Sequence, residues 1–140
     1  MQVMFKKLSD NAQLPTRAKQ HSAGFDIHAP ERVEIPAGQS HWVKSGVAMA
    51  IPDGYVGVIM ARSSLAKKYS LIALGGVIDS DYRGEVQIGL HNLGSDTVEI
   101  KAGDRVCQML VVPYCGESAL VHTLLDDSDR GANGFGSTGR

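Results

Sequence analysis

Gly75-Gly76-Val77-Ile78-Asp79-Ser80-Asp81-Tyr82-Arg83-Gly84-Glu85-Val86 is the stretch on which the fold of this chain turns. Two glycines, an apolar pair, an acid-rich tetrapeptide and Arg-Gly, with strand-like sequence on both sides, predict a β-hairpin whose turn carries a carboxylate and an aromatic ring. Asp79 directly follows Val77-Ile78, so on a strand its carboxylate is expected at the edge of buried apolar surface, where a base can be held in place. Tyr82 offers a flat face of sugar or base size. Turn aspartates also commonly hydrogen-bond their own backbone, and the stretch alone fits both readings.

Outward from it, short β-rich runs alternate with turn signals. Strands are expected at 2–6, 24–28, 32–35, 41–44, 47–51, 55–61, 71–74, 85–91, 97–100, 105–112 and 119–124. Between them stand Pro36-Ala37-Gly38, Pro52-Asp53-Gly54 and Lys101-Ala102-Gly103-Asp104, whose residue types preset turn geometry. Only 63–69 reads as a short helix. The pattern predicts an all-β chain, a jelly-roll-like barrel or sandwich, with no repeat or second domain.

A chain of 140 residues is one domain in size and can bury roughly two-thirds of its unfolded surface. Fourteen basic against 15 acidic residues give a net charge of -1, so no global field draws it to nucleic acid or an anionic membrane. Any phosphate must be gripped locally. Cys107 and Cys115 lie in or next to an apolar run, lack metal-ligand spacing and read as reduced core thiols. The first fifteen residues show no apolar signal core, and no run approaches the ~20 apolar residues of a membrane span. A soluble, cytoplasmic protein is expected.

Four further stretches can carry chemistry. In Ser22-Ala23-Gly24-Phe25-Asp26-Ile27, Asp26 should face opposite to Phe25 and Ile27; alone, it reads as a surface carboxylate. In Ala61-Arg62-Ser63-Ser64-Leu65-Ala66, Ser63 or Ser64 can cap the helix, and hydroxyls beside an arginine also suit a phosphate. Gln108 interrupts the apolar run after Asp104, and a buried amide needs a partner, either backbone or ligand. On the return strand after the hairpin, Gln87, Gly89 and His91 face away from Val86, Ile88 and Leu90, and His91 reads as a satisfied or exposed strand histidine. The end, from Asp129 to Arg140, has the composition of a flexible arm, yet Gly134-Phe135-Gly136-Ser137-Thr138-Gly139 orders backbone N–H groups and hydroxyls as a phosphate-wrapping loop would.

In one order along the chain, these stretches resemble the five motifs of the trimeric dUTP diphosphatases: 23–27, 61–66, 76–84, 103–108 and 130–139. The third and fifth are long and specific. The resemblance implies hydrolysis of dUTP to dUMP and pyrophosphate with Mg²⁺, which keeps uracil out of DNA and supplies dUMP for thymidylate synthesis. It implies a homotrimer with shared sites, a jelly-roll-like domain over 1–128, and a Gly-rich arm over 129–140 that closes a site. Carried over by position, Asp79 would deprotonate the attacking water and Tyr82 would lie against the deoxyribose, leaving no room for a 2′-hydroxyl. Main chain from about Ala73 through Gly76, Val77 and Ile78, and across to Gln87, would read the uracil. Arg62, Ser63, Ser64 and Gln108 would contact the phosphates, and Asp26 would reach the metal through its waters. Arg130, Phe135, Gly136, Ser137 and Thr138 would form the lid.

Departures from the pattern are few: Phe25 stands where Tyr is common, Ile27 where Leu is common, and Ala73 where some members carry Asn. Two alternatives remain at this level. A dCTP deaminase of related fold shares an Arg-Ser-Ser-Leu-Ala stretch but carries a catalytic Glu on the return strand, where this chain has Gly89. A non-catalytic dUTP-sensing protein is the other.

Overall fold

The computed structural model describes residues 2–116 and 126–129. The strand expected at 119–124 and the arm from Arg130 onward lie outside the described residues. Ten strands and one helix follow in order: β1 (Met4–Lys7), β2 (Phe25–His28), β3 (Val33–Ile35), β4 (Ser40–Ala50), β5 (Tyr55–Ala61), α1 (Ser63–Tyr69), β6 (Leu71–Leu74), β7 (Val77–Ile78), β8 (Glu85–Asn92), β9 (Val98–Ile100) and β10 (Arg105–Pro113). They form two four-stranded sheets, ordered β1-β4-β8-β6 and β2-β10-β5-β7, and a ribbon β3-β9. Every pairing is antiparallel. One core joins all three: Val43, Leu71, Ile88 and Leu90 from the first sheet, Ile27, Ile59, Val106 and Met109 from the second, and Ile35 and Ile100 from the ribbon. This is a jelly-roll-like sandwich rather than a closed barrel, as the alternation of short apolar-faced strands requires.

Two expectations are corrected. The runs at 41–44 and 47–51 are one strand, β4, broken by a bulge: Lys44 pairs with Gln87, but Ala48 pairs with Glu85. Gly46 allows it, with φ of 68°, and the Glu85 carboxylate accepts the Gly46 N–H at 2.8 Å.

The hairpin is also built differently. Its paired strands are β6 and β8, with Leu71 opposite Asn92 and Leu74 opposite Gly89. Between them the chain leaves the first sheet, and β7 pairs with β5 of the second, Gly57 opposite Ile78 and Val58 opposite Val77. Gly75 and Gly76, with φ of 64° and 101°, make that crossing. At Gly76 a side chain would bring its Cβ within 2.9 Å of Ile59 Cβ and 3.0 Å of the Ile59 carbonyl. That closeness lets Gly76 accept the Ile59 N–H at 2.7 Å.

Candidate active site

The first cluster forms where β2, β10 and the start of α1 meet. Asp26 on β2 stands opposite Gln108 on β10. It is not a surface carboxylate: it is 7% exposed and lies between two guanidiniums, Arg62 Nε at 3.1 Å and Arg105 Nη1 at 3.3 Å. Burial of that kind is tolerated because the charge is paired. Gly24 lies against Gln108, whose Cβ and Oε1 would each be 3.1 Å from any Cβ placed there. Gly24, Asp26, Arg62 and Gln108, with Ser63 and Ser64, line a cavity of about 210 Å³. With Arg105 bound to Asp26 from outside that lining, two guanidiniums stand against one carboxylate, and hydroxyls and an amide supply neutral donors, so the cavity suits an anion.

The helix cap differs from expectation. Arg62, not a serine, occupies the N-cap with no side-chain hydrogen bond, and Ser63 and Ser64 open the first turn. Both serines are exposed and free of a capping role. Behind the cluster, burial first and then the Asp26 charge push the Cys107 thiol up to about 12, against the opposing pull of Arg62. This thiol is inert packing; Cys115, expected in the core as well, is exposed because it follows the end of β10. His28 is the one buried side-chain group among the described residues whose polar atom, Nδ1, lacks a partner. Burial lowers its pKa from the ordinary 6.5, with Asp26 opposing and Arg105 and Arg62 adding to the fall, so the surroundings favour the neutral ring.

The second cluster surrounds the turn after β7. Asp79 accepts the Tyr82 N–H through its carbonyl at 3.2 Å, and Arg83 braces the turn by donating to the carbonyls of Ser80 at 2.6 Å and Tyr82 at 2.9 Å. The Tyr82 hydroxyl donates to the Glu85 carbonyl at 2.9 Å, and its ring lies over Gly84, where a Cβ would approach Cζ to 2.6 Å. Asp79, Tyr82, Val77, Ile78 and Gln87, with Trp42 and Glu85, line a cavity of about 230 Å³. Within this single chain Asp79 is exposed rather than at a buried edge. The reason is topological, since β7 is a two-residue strand at the rim of its sheet.

Of the expected base-reading residues, Ala73 and Gly76 stand apart from this cavity. Ala73 pairs with Leu90 and packs on the core, while Gly76 is pressed against Ile59. The two cavities share no lining residue. Arg130, Phe135, Gly136, Ser137 and Thr138 fall outside the described residues. His91 is a satisfied strand histidine, its Nδ1 hydrogen-bonded with the Ser40 hydroxyl at 2.8 Å. Sequence reasoning missed Arg105, the second partner of Asp26, although it sits in the quoted 103–108 stretch. It also missed Trp42 and Glu85, whose place depends on β4–β8 register.

Among the described residues no group of three or more His, Cys, Asp or Glu could hold an ion, and Asp26 is already neutralised by two arginines. A hard cation therefore fits only if phosphate oxygens and water supply most of its ligands. Nor is any described helix long and apolar enough to cross a membrane.

A family model described as dUTPase matches residues 10–139. The deoxyuridine 5'-triphosphate nucleotidohydrolase of Zymomonas mobilis subsp. mobilis is 46% identical over 138 residues, covering 96% of this chain and 94% of that protein. The mitochondrial deoxyuridine 5'-triphosphate nucleotidohydrolase of Homo sapiens is 39% identical over 140 residues; the match covers 100% of this chain and 56% of that longer protein. The solved structure of the Staphylococcus bacteriophage 80alpha dUTPase with dUpNHpp superposes with a TM-score of 0.90 at 29% identity, covering 99% of both chains. With the family model spanning nearly the whole chain and the same fold in solved members, this chain belongs to the dUTPase family.

Proposed function

We propose that this chain hydrolyses dUTP to dUMP and pyrophosphate through a site shared between subunits. The observation that carries the reading is the division of the chemistry. One cavity holds the Asp79 and Glu85 carboxylates, two aromatic rings and apolar strand residues; the other holds Arg62 with its partner Asp26, two serine hydroxyls beside it and the Gln108 amide, and no residue lines both. A nucleoside fits the first and a phosphate chain the second. A homotrimer, as the family implies, lets one subunit's nucleoside cavity face another's phosphate cavity, with the arm from Arg130 as closure. A cytoplasmic setting agrees with two free thiols, Cys107 and Cys115.

Asp79 takes a proton from a water aimed at the α-phosphorus. Its exposure in the lone chain leaves it open to that water and to a second subunit. Tyr82, fixed by its bond to Glu85 and by the floor at Gly84, lies against the deoxyribose. The strand edges of β7 and β8, at Val77, Ile78 and Gln87, present main-chain groups to uracil. Arg62, Ser63, Ser64 and Gln108 take the phosphates, where positioning and charge neutralisation lower the barrier. Asp26 would hold Mg²⁺ only through intervening water, and the ion would supply neutralising charge to the phosphates. Phe135, Gly136, Ser137, Thr138 and Arg130 close over the nucleotide.

Deamination of cytosine is disfavoured by Gly89. The position carries no acid, and a side chain there would bring its Cβ to 3.0 Å from the Leu74 carbonyl and from the Trp42 ring, a tight fit that would require its neighbours to shift. Pyrophosphate release assayed with dUTP, dCTP, dTTP and UTP tests the reading. Turnover of dUTP alone is expected. In the same assay Asp79→Asn should keep nucleotide binding and lose ~10²-fold or more in turnover, the usual reach of a general base. Near-normal turnover by that variant rejects Asp79 as the base, and ammonia release from dCTP rejects the substrate.

A further inference from the structure

Trp42 is the chain's single tryptophan, and at 52% exposed it is not a core residue. It sits on β4 directly opposite Gly89 of β8. Its six-membered ring lies over that glycine: a Cβ at Gly89 would be 3.0 Å from Cη2 and Cζ3, and one at Gly75 would be 3.5 Å from Cη2. The absence of a side chain at Gly89 thus clears the space that the indole occupies, and Gly75 stands at ordinary contact distance from its tip. The ring then forms one wall of the cavity that holds Asp79, Tyr82 and Gln87.

An indole on a glycine floor gains little from its own subunit on its outer face, and its large π-surface is left available to a flat ligand. Tyr82 stands in the same cavity, so two aromatic side chains border the space beside Asp79. We propose that Trp42 is a specificity-determining contact for the nucleoside half of dUTP, gripping the uracil–deoxyribose unit through its ring face or edge. This rests on the assignment of that cavity to the nucleoside.

Because the chain has no other tryptophan, its emission reports on this position alone. Titration of the full-length protein with dUMP is expected to quench or shift that emission, whereas pyrophosphate, which engages only the phosphate cavity, leaves it unchanged. Trp42→Val should raise KM for dUTP about 10-fold, within the range of base–aromatic stacking, while kcat moves by less than about twofold. Trp42→Phe should recover most of the loss. Calorimetry with dUMP separates the failures. If dUMP does not bind the wild-type protein, the nucleoside assignment itself is wrong and this inference goes with it. If dUMP binds but emission is silent and Trp42→Val keeps its KM, only the role of Trp42 is overturned. A Trp42→Val protein of altered oligomeric size by light scattering would make the residue an interface anchor and overturn the proposal as well.

Discussion

Tyr82 owes its position to the residue two places later. Its hydroxyl reaches the Glu85 carbonyl only because Gly84 has no side chain beneath the ring. In Gly84→Ala the tip of Tyr82, rather than the backbone, must yield, because the clash is with the far end of an exposed side chain. We expect a melting temperature within a few degrees of wild type, since surface changes rarely exceed about 0.5–1 kcal/mol. Discrimination of dUTP against UTP should fall about 10-fold as the ring ceases to block the 2′-hydroxyl, a loss worth about 1.4 kcal/mol. Comparing kcat/KM for the two nucleotides checks it, and unchanged discrimination would remove Tyr82 from sugar selection. Asp26 shows the other side of residue-scale reading. Its identity was visible in the sequence, but its two arginine partners come from β5's end and from β10, far along the chain.

At the scale of elements, the excursion between β6 and β8 is what sets the cavity proposed for the nucleoside. The sequence announced a turn with an acid and an aromatic, and that turn is present. It did not announce that Val77–Ile78 would leave the hairpin and pair with β5, because two apolar residues satisfy either sheet equally well. Gly75-Gly76 was the available sign, since successive positive-φ residues redirect a strand. Gly76→Ala is expected to destabilise by about 1–3 kcal/mol, combining strain at φ of 101° with contact against the Ile59 backbone. A denaturant melt measures that cost, and hydrogen exchange at the Ile59 amide, which donates to the Gly76 carbonyl, should rise selectively. A neutral melt would show that β7 is not held by this crossing.

For the whole molecule, the buried hydrophobic residues among those described lie between Ala12 and Met109, and the Gly-rich composition of the arm suits a closing segment more than a core element. On the proposal that the arm serves the site, removal of 130–140 should leave the thermal transition within a few degrees while dUTP turnover falls by at least about 10²-fold, and Phe135→Ala alone should cost about 1–3 kcal/mol of stacking. Circular dichroism beside the pyrophosphate assay tests both; unfolding on truncation would overturn the lid assignment. Among the described residues, strand locations, the helix over Ser63–Tyr69 and the residue types of the two cavities were local properties, written in side-chain alternation, turn residues and motif order. Pairing was not local. Which strands joined, that Asp26 would be clasped by Arg62 and Arg105, and that Trp42 would rest on Gly89 beside Asp79 depended on register between segments tens of residues apart. Local periodicity says which face of a strand is apolar but not which neighbour it meets, and only packing both sheets on one core selects that partner.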